Sequence, residues 1–206
     1  MNTINVHSEH IDKALKKAVI IVALANLAYF FLEFAIARKI GSVSLLADSI
    51  DFLEDASVNF IIAIAIGWSV KHRARVGMLL AGILLVPALA LLWTAWQKFN
   101  APIPPTAWLL SLTGLGALLV NISCAFTLAR FRHHKGSLTR AAFLSARNDA
   151  YANIAIIVAG LITLSWYSGW PDLIVGLGIA IMNADAAKEI WEAATEEHRQ
   201  VKNIDK

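Results

Sequence analysis

A chain of 206 residues that is 58% hydrophobic, with a mean hydropathy of +0.60, is too apolar for an ordinary soluble domain and reads as a polytopic membrane protein. Its net charge of +3 is small, and the basic residues sit between apolar runs rather than in one patch, which argues for membrane orientation and against nucleic-acid binding. The single Cys124 excludes an intramolecular disulfide and a thiolate cluster within one chain, and its apolar surroundings mark it as a small helix-packing residue.

In chain order, the start MNTINVHSEHIDKALKK is polar and carries no cleavable signal, so residues 1–17 are expected to be a cytoplasmic N-terminal segment. Six apolar segments follow: Ala18–Ala37, Val43–Val70, Val76–Trp96, Ala107–Ala129, Ala141–Trp166 and Leu173–Ala187. Each is near the roughly 20 residues that a bilayer core requires. Short connections favour antiparallel neighbours in one all-α bundle, a six-helix transmembrane domain over residues 18–190. Pro87 should kink the third segment. The polar, helix-friendly residues 191–206 are expected to form a short cytoplasmic helical tail.

Lysine and arginine set the orientation. With the N-terminus inside, 14 basic residues fall on inner segments, whereas only Arg38, Lys39 and Lys98 fall outside, with Arg147 within the fifth segment. Both termini are therefore expected in the cytoplasm. The outer turns KIGS, NAPIPP and YSGWPD are rich in Gly and Pro. Trp93, Trp96, Trp108, Trp166 and Trp170 fall near the outer interface as an aromatic belt would.

The second segment carries Asp48, Asp51, Glu54 and Asp55. A carboxylate in hydrocarbon costs on the order of 2.5–3.5 kcal/mol on insertion scales, so something must offset it. Asp51 and Asp55 lie one turn apart on one helix face. At ~1.5 Å of rise per residue, Asp55 sits roughly 12 Å above the inner edge of a ~30 Å core. Asp149, on the fifth segment running the other way, reaches about the same depth. Asp51 and Ser145 flank that level by about one turn. Three acids meeting at one depth suggest a cation pathway, against the plainer reading of interhelical ion pairing with Arg147.

These motifs resemble the cation diffusion facilitator family, whose members exchange divalent metals for protons. The stretch GSVSLLADSIDFLED matches the family's second-helix pattern. LLVN through Asn121 followed by RFRHHKGSL matches the fourth helix and its basic loop, SARNDA the fifth helix, and GWPDLIVGLGIAI the start of the sixth. The resemblance spans nearly the whole chain with its motifs in order. By position it implies a transport site of Asp51, Asp55, Ser145 and Asp149, where Ser145 departs from the usual His or Asp. It also implies a homodimer. Most members continue into a ferredoxin-like cytoplasmic domain, and this chain ends where that domain would begin, so the short form lacking it is expected.

The leading expectation is a secondary carrier in the bacterial inner membrane. It would expel a divalent metal, Zn²⁺ first and Cd²⁺ second, in exchange for protons by alternating access, with the metal as cargo rather than cofactor. A passive channel, or a carrier of Mn²⁺, Fe²⁺ or Co²⁺, stands as the alternative. An enzyme is not expected, because no His-x-x-x-His helix is present. Asp48 and Glu54 are expected to be hydrogen-bonded or interfacial, Arg147 to snorkel or pair, and Asn59, Asn121 and Asn153 to bond between helices. Glu33 and Asn26 share a face of the first segment, as cavity lining or as polar packing. His7, His10, His133 and His134 read as solvated residues or as a metal-capturing funnel.

Overall fold

The computed structural model describes residues 2–65, 89–131 and 136–182, with side chains described over 13–61, at 63, and over 89–131 and 146–182. Pro87, the loop histidines His133 and His134, and the tail 191–206 lie outside the described residues, as do the side chains of His7, His10 and Ser145. Six helices are described and no strand among them: α1 (Asn2–Ile40), α2 (Val43–Ala65), α3 (residues 89–100), α4 (Ala107–Ala129), α5 (Gly136–Ser165) and α6 (Trp170–Met182).

The hydropathy reading of α4 coincides with the helix, whereas α1, α5 and α6 start earlier than their apolar runs. For α1 the extension is the polar stretch before Ala18, whose Ala14, Leu15, Lys16 and Lys17 are good helix formers although too polar for a bilayer core. In α6 the first turn holds Pro171, which a helix tolerates there because its missing N–H would have no intrahelical acceptor.

Two hairpins make the bundle. α1 runs along α2 and α4 along α5, and the hairpins meet through α1 on α4 and α2 on α5. Three helical stretches, Lys13–Ile40, Ala107–Ala129 and Ala146–Ser165, are long and apolar enough to cross a membrane. Only 33%, 33% and 28% of their most apolar windows are buried within the bundle, so most of their apolar surface faces outward. Phe31, Leu119, Phe126 and Leu161 are among the large apolar side chains so exposed. Outward-facing apolar surface on this scale is a lipid-facing surface.

α2 is different. From Ser42 to Ser57 every residue is buried except the half-buried Ile50 and Glu54. Its 23 residues reach about 35 Å, enough to span a bilayer core, and its acids are shielded from lipid by its neighbours. Leu45, Leu46 and Ala47 pack in one core cluster with Leu110, Ile156 and Leu173. Phe52 and Leu53 join Phe30 and Ala117 in another.

The link from α1 to α2 is two residues long, and each caps a helix. Gly41 takes φ +64°, a left-handed conformation that suits glycine, and Ser42 N donates to Ala37 O at 3.0 Å to close α1. Ser42 Oγ then accepts from Leu45 N at 3.1 Å as the N-cap of α2. This tight turn fixes where along the bundle the acids of α2 fall.

Candidate metal centre

Asp51 and Asp55 are 9% and 8% exposed, one turn apart on the enclosed helix. α5 packs against α2 and carries the half-buried Asp149. Among neighbouring charges, that of Asp149 acts most strongly on Asp51, and that of Asp55 acts most strongly on Asp149. The three acids expected at one depth therefore share one electrostatic field. Among the described residues no three His, Cys, Asp or Glu side chains close into a ligand cage, and the Ser145 side chain lies outside them. Arg147 is exposed, as snorkelling requires.

Beside these acids runs a buried polar chain that links four helices. Asn121 Nδ2 on α4 donates to Asn153 Oδ1 on α5 at 3.0 Å, and Asn153 Nδ2 donates to Asp48 Oδ2 on α2 at 2.5 Å. Asp48 in turn lies within hydrogen-bonding reach of Glu33 on α1. Both acids are fully buried, and among the described residues Asp48 Oδ1 and the two Glu33 oxygens meet no donor beyond that carboxyl pair. Asn26, also fully buried, accepts at Oδ1 from Cys124 Sγ at 3.5 Å. So Glu33 and Asn26 both point inward, Asp48 is hydrogen-bonded, and Cys124 packs between helices. Asn59 differs from expectation: its Nδ2 donates to Asp55 O at 2.8 Å within its own helix. An amide four residues after a carbonyl reaches it without any neighbour, and that local option wins here.

A functional element that sequence reading missed holds the other end of α2. Asp172, in the first turn of α6, is fully buried. Its Oδ1 accepts from Ser42 Oγ (2.6 Å), Ser44 Oγ (2.7 Å) and Ser44 N (3.2 Å), and its Oδ2 from Val43 N (2.9 Å) and, at 3.5 Å, from Lys98 Nζ on α3. The amides of Val43, Ser44 and Leu45, which a helix start leaves without partners, are all satisfied, two of them by a side chain 128 or 129 residues away. The carboxylate also sits where the helix dipole is positive. α6 comes close enough for this because Gly176 has no side chain: a Cβ there would lie 2.6 Å from Ser44 N. Nothing in the local pattern marks Asp172 as more than a turn residue. The signal available was an acid one residue past Trp-Pro with serines at the facing helix start.

The chain matches known proteins over most of its length. Residues 19–196 match the model of the cation efflux transmembrane domain. The zinc transporter ZitB of Yersinia pestis is 25% identical over 201 residues, covering 86% of this chain and 64% of the relative. The cadmium, cobalt and zinc/H(+)-K(+) antiporter of Bacillus subtilis is 25% identical over 187 residues, covering 84% and 60%. The cation-efflux pump FieF of Salmonella typhi is 28% identical over 158 residues, covering 68% and 51%. The chain thus spans between half and two thirds of the length of these curated relatives. With an enclosed acidic helix at the centre of a lipid-facing bundle and a domain match over most of its length, the chain is an integral membrane protein of the bacterial inner membrane and belongs to the cation efflux family.

Proposed function

We propose that the protein is a secondary carrier that expels a divalent metal cation from the cytoplasm in exchange for protons, with Asp51, Asp55, Asp149 and Ser145 as the transport site. The observation that carries this reading is the acidic face of α2, held out of lipid and turned toward Asp149 on α5. The names of the relatives support it, since they are zinc transporters, a cadmium, cobalt and zinc antiporter and a cation-efflux pump.

The chemistry follows from the donor set. Carboxylates must be deprotonated to ligate, so a metal ion and protons compete for the same oxygens. Metal arriving from the cytoplasm displaces protons, and protons arriving from outside displace metal. Three aspartates supply hard anionic oxygens, and Ser145 adds a neutral hydroxyl. Zn²⁺ binds such a site more tightly than Mn²⁺, Fe²⁺ or Co²⁺ by the usual first-row order. We take Zn²⁺ as the main substrate and Cd²⁺ as the second. The working unit is a homodimer held through membrane helices.

Inside-out vesicles test the coupling. Their lumen corresponds to the cell exterior, so an acid lumen should accelerate Zn²⁺ uptake as protons leave, and a protonophore should remove the acceleration. Equal initial rates with and without the gradient would show a passive channel instead.

A further inference from the structure

Among the described residues, the basic side chains at the outer end of the bundle are Arg38, Lys39 and Lys98, and all three line one cavity of about 680 Å³ between the end of α1 and α3. No acid lines it among the described residues. Arg38 Nη1 donates to Thr94 Oγ1 at 3.2 Å, which leaves most of its guanidinium donors unused by that bond. Lys98 is only 7% exposed. Its ammonium lies 3.5 Å from Asp172 Oδ2, so the uncompensated positive charge at the cavity comes from Arg38 and Lys39. A divalent cation is repelled from such a place. The occupant that suits it is an anion.

The rim narrows the choice. Trp93, Trp96 and Ile103 line the same cavity and are 59%, 66% and 69% exposed, with the indoles at the depth where aromatic side chains meet headgroups. A small inorganic anion would use the cations and leave this apolar rim without a partner. We propose that the cavity binds the phosphate of an anionic phospholipid of the outer leaflet, whose acyl chains lie against Trp93, Trp96 and Ile103. Such a lipid ties Arg38 and Lys39 of α1 to Trp93 and Trp96 of α3. The inference is independent of which ion the protein carries.

The test uses the full chain, purified in detergent, with bound lipid counted by native mass spectrometry during titration with dioleoyl-phosphatidylglycerol or dioleoyl-phosphatidylcholine. The anionic lipid should be retained on the order of thirtyfold more tightly, as two cations near a headgroup provide. Arg38→Gln with Lys39→Gln should bring the two lipids level, whereas Arg38→Lys with Lys39→Arg should keep the preference. Arg38 and Lys39 are exposed, and an unchanged unfolding midpoint checks that the glutamine variant is intact. The single Lys39→Gln change should give an intermediate preference. Equal retention of both lipids by the unaltered protein, or an undiminished preference in the glutamine variant, overturns the proposal. So does full displacement of the anionic lipid by millimolar inorganic phosphate, which would mark a site for the free anion.

Discussion

Asp172 at the outer end and the acids of α2 near mid-membrane are both carboxylates taken out of water, yet the protein treats them in opposite ways. Asp172 receives five hydrogen bonds, two from amides, two from serine hydroxyls and one from an ammonium. Asp48 receives one from an amide, and its other oxygen and both of Glu33 find no donor beyond their own carboxyl pair. Asp51 and Asp55 are buried, Asp149 is half-buried, and other carboxylates are among the neighbours of Asp51 and Asp149. A carboxylate whose lone pairs are filled by fixed donors is finished structure. Carboxylates grouped with like charge have affinity left for a cation or a proton. Burial alone therefore does not separate a clasp from a binding site; the supply of donors does.

The largest expected effect tests the mid-membrane half of that contrast. Asp51→Ala, Asp55→Ala or Asp149→Ala should each abolish metal transport in proteoliposomes. The folded protein should remain in the membrane in each case. Unimpaired Zn²⁺ uptake by the Asp55 or Asp149 variant would remove those residues from the transport site. Asp172→Ala should do the reverse. It strands Lys98 and the donors of Ser42, Val43 and Ser44 without their shared acceptor, at a cost of about 3 kcal/mol. A clear fall in the detergent-unfolding midpoint is the readout, and a midpoint equal to that of the unaltered protein would reduce the clasp to packing. The smallest effect sharpens the metal preference: Ser145→His should tighten Zn²⁺, widen its margin over Mn²⁺, and add a group titrating near pH 6–7. An unchanged Zn²⁺/Mn²⁺ ratio in competition uptake would place position 145 outside the ligand shell.

What could be read without coordinates was what repeats locally. Hydropathy located α4 residue for residue, because a span's length is set by the bilayer and by helix geometry. It marked α1 only from Ala18, since the polar turns before it are helical without being apolar. Asn121 and Asn153 were legible as interhelical partners, for a buried amide among apolar helices has few other options. Asn59 was not, because the carbonyl of Asp55 competes from within the same helix. The clasp was the least legible. Its partners stand 74 to 130 residues from Asp172, and no periodicity reports a meeting of helix ends.

That distance along the chain has a consequence for how the protein is made. Synthesis delivers α2 long before α6, so the emerging helix sits in the bilayer with the amides of Val43 and Ser44 lacking their acceptor. Until residue 172 is in the membrane, the start of α2 lacks the acceptor that holds these amides in the completed bundle. The start of α2 thus depends on a helix that lies more than a hundred residues further along the chain.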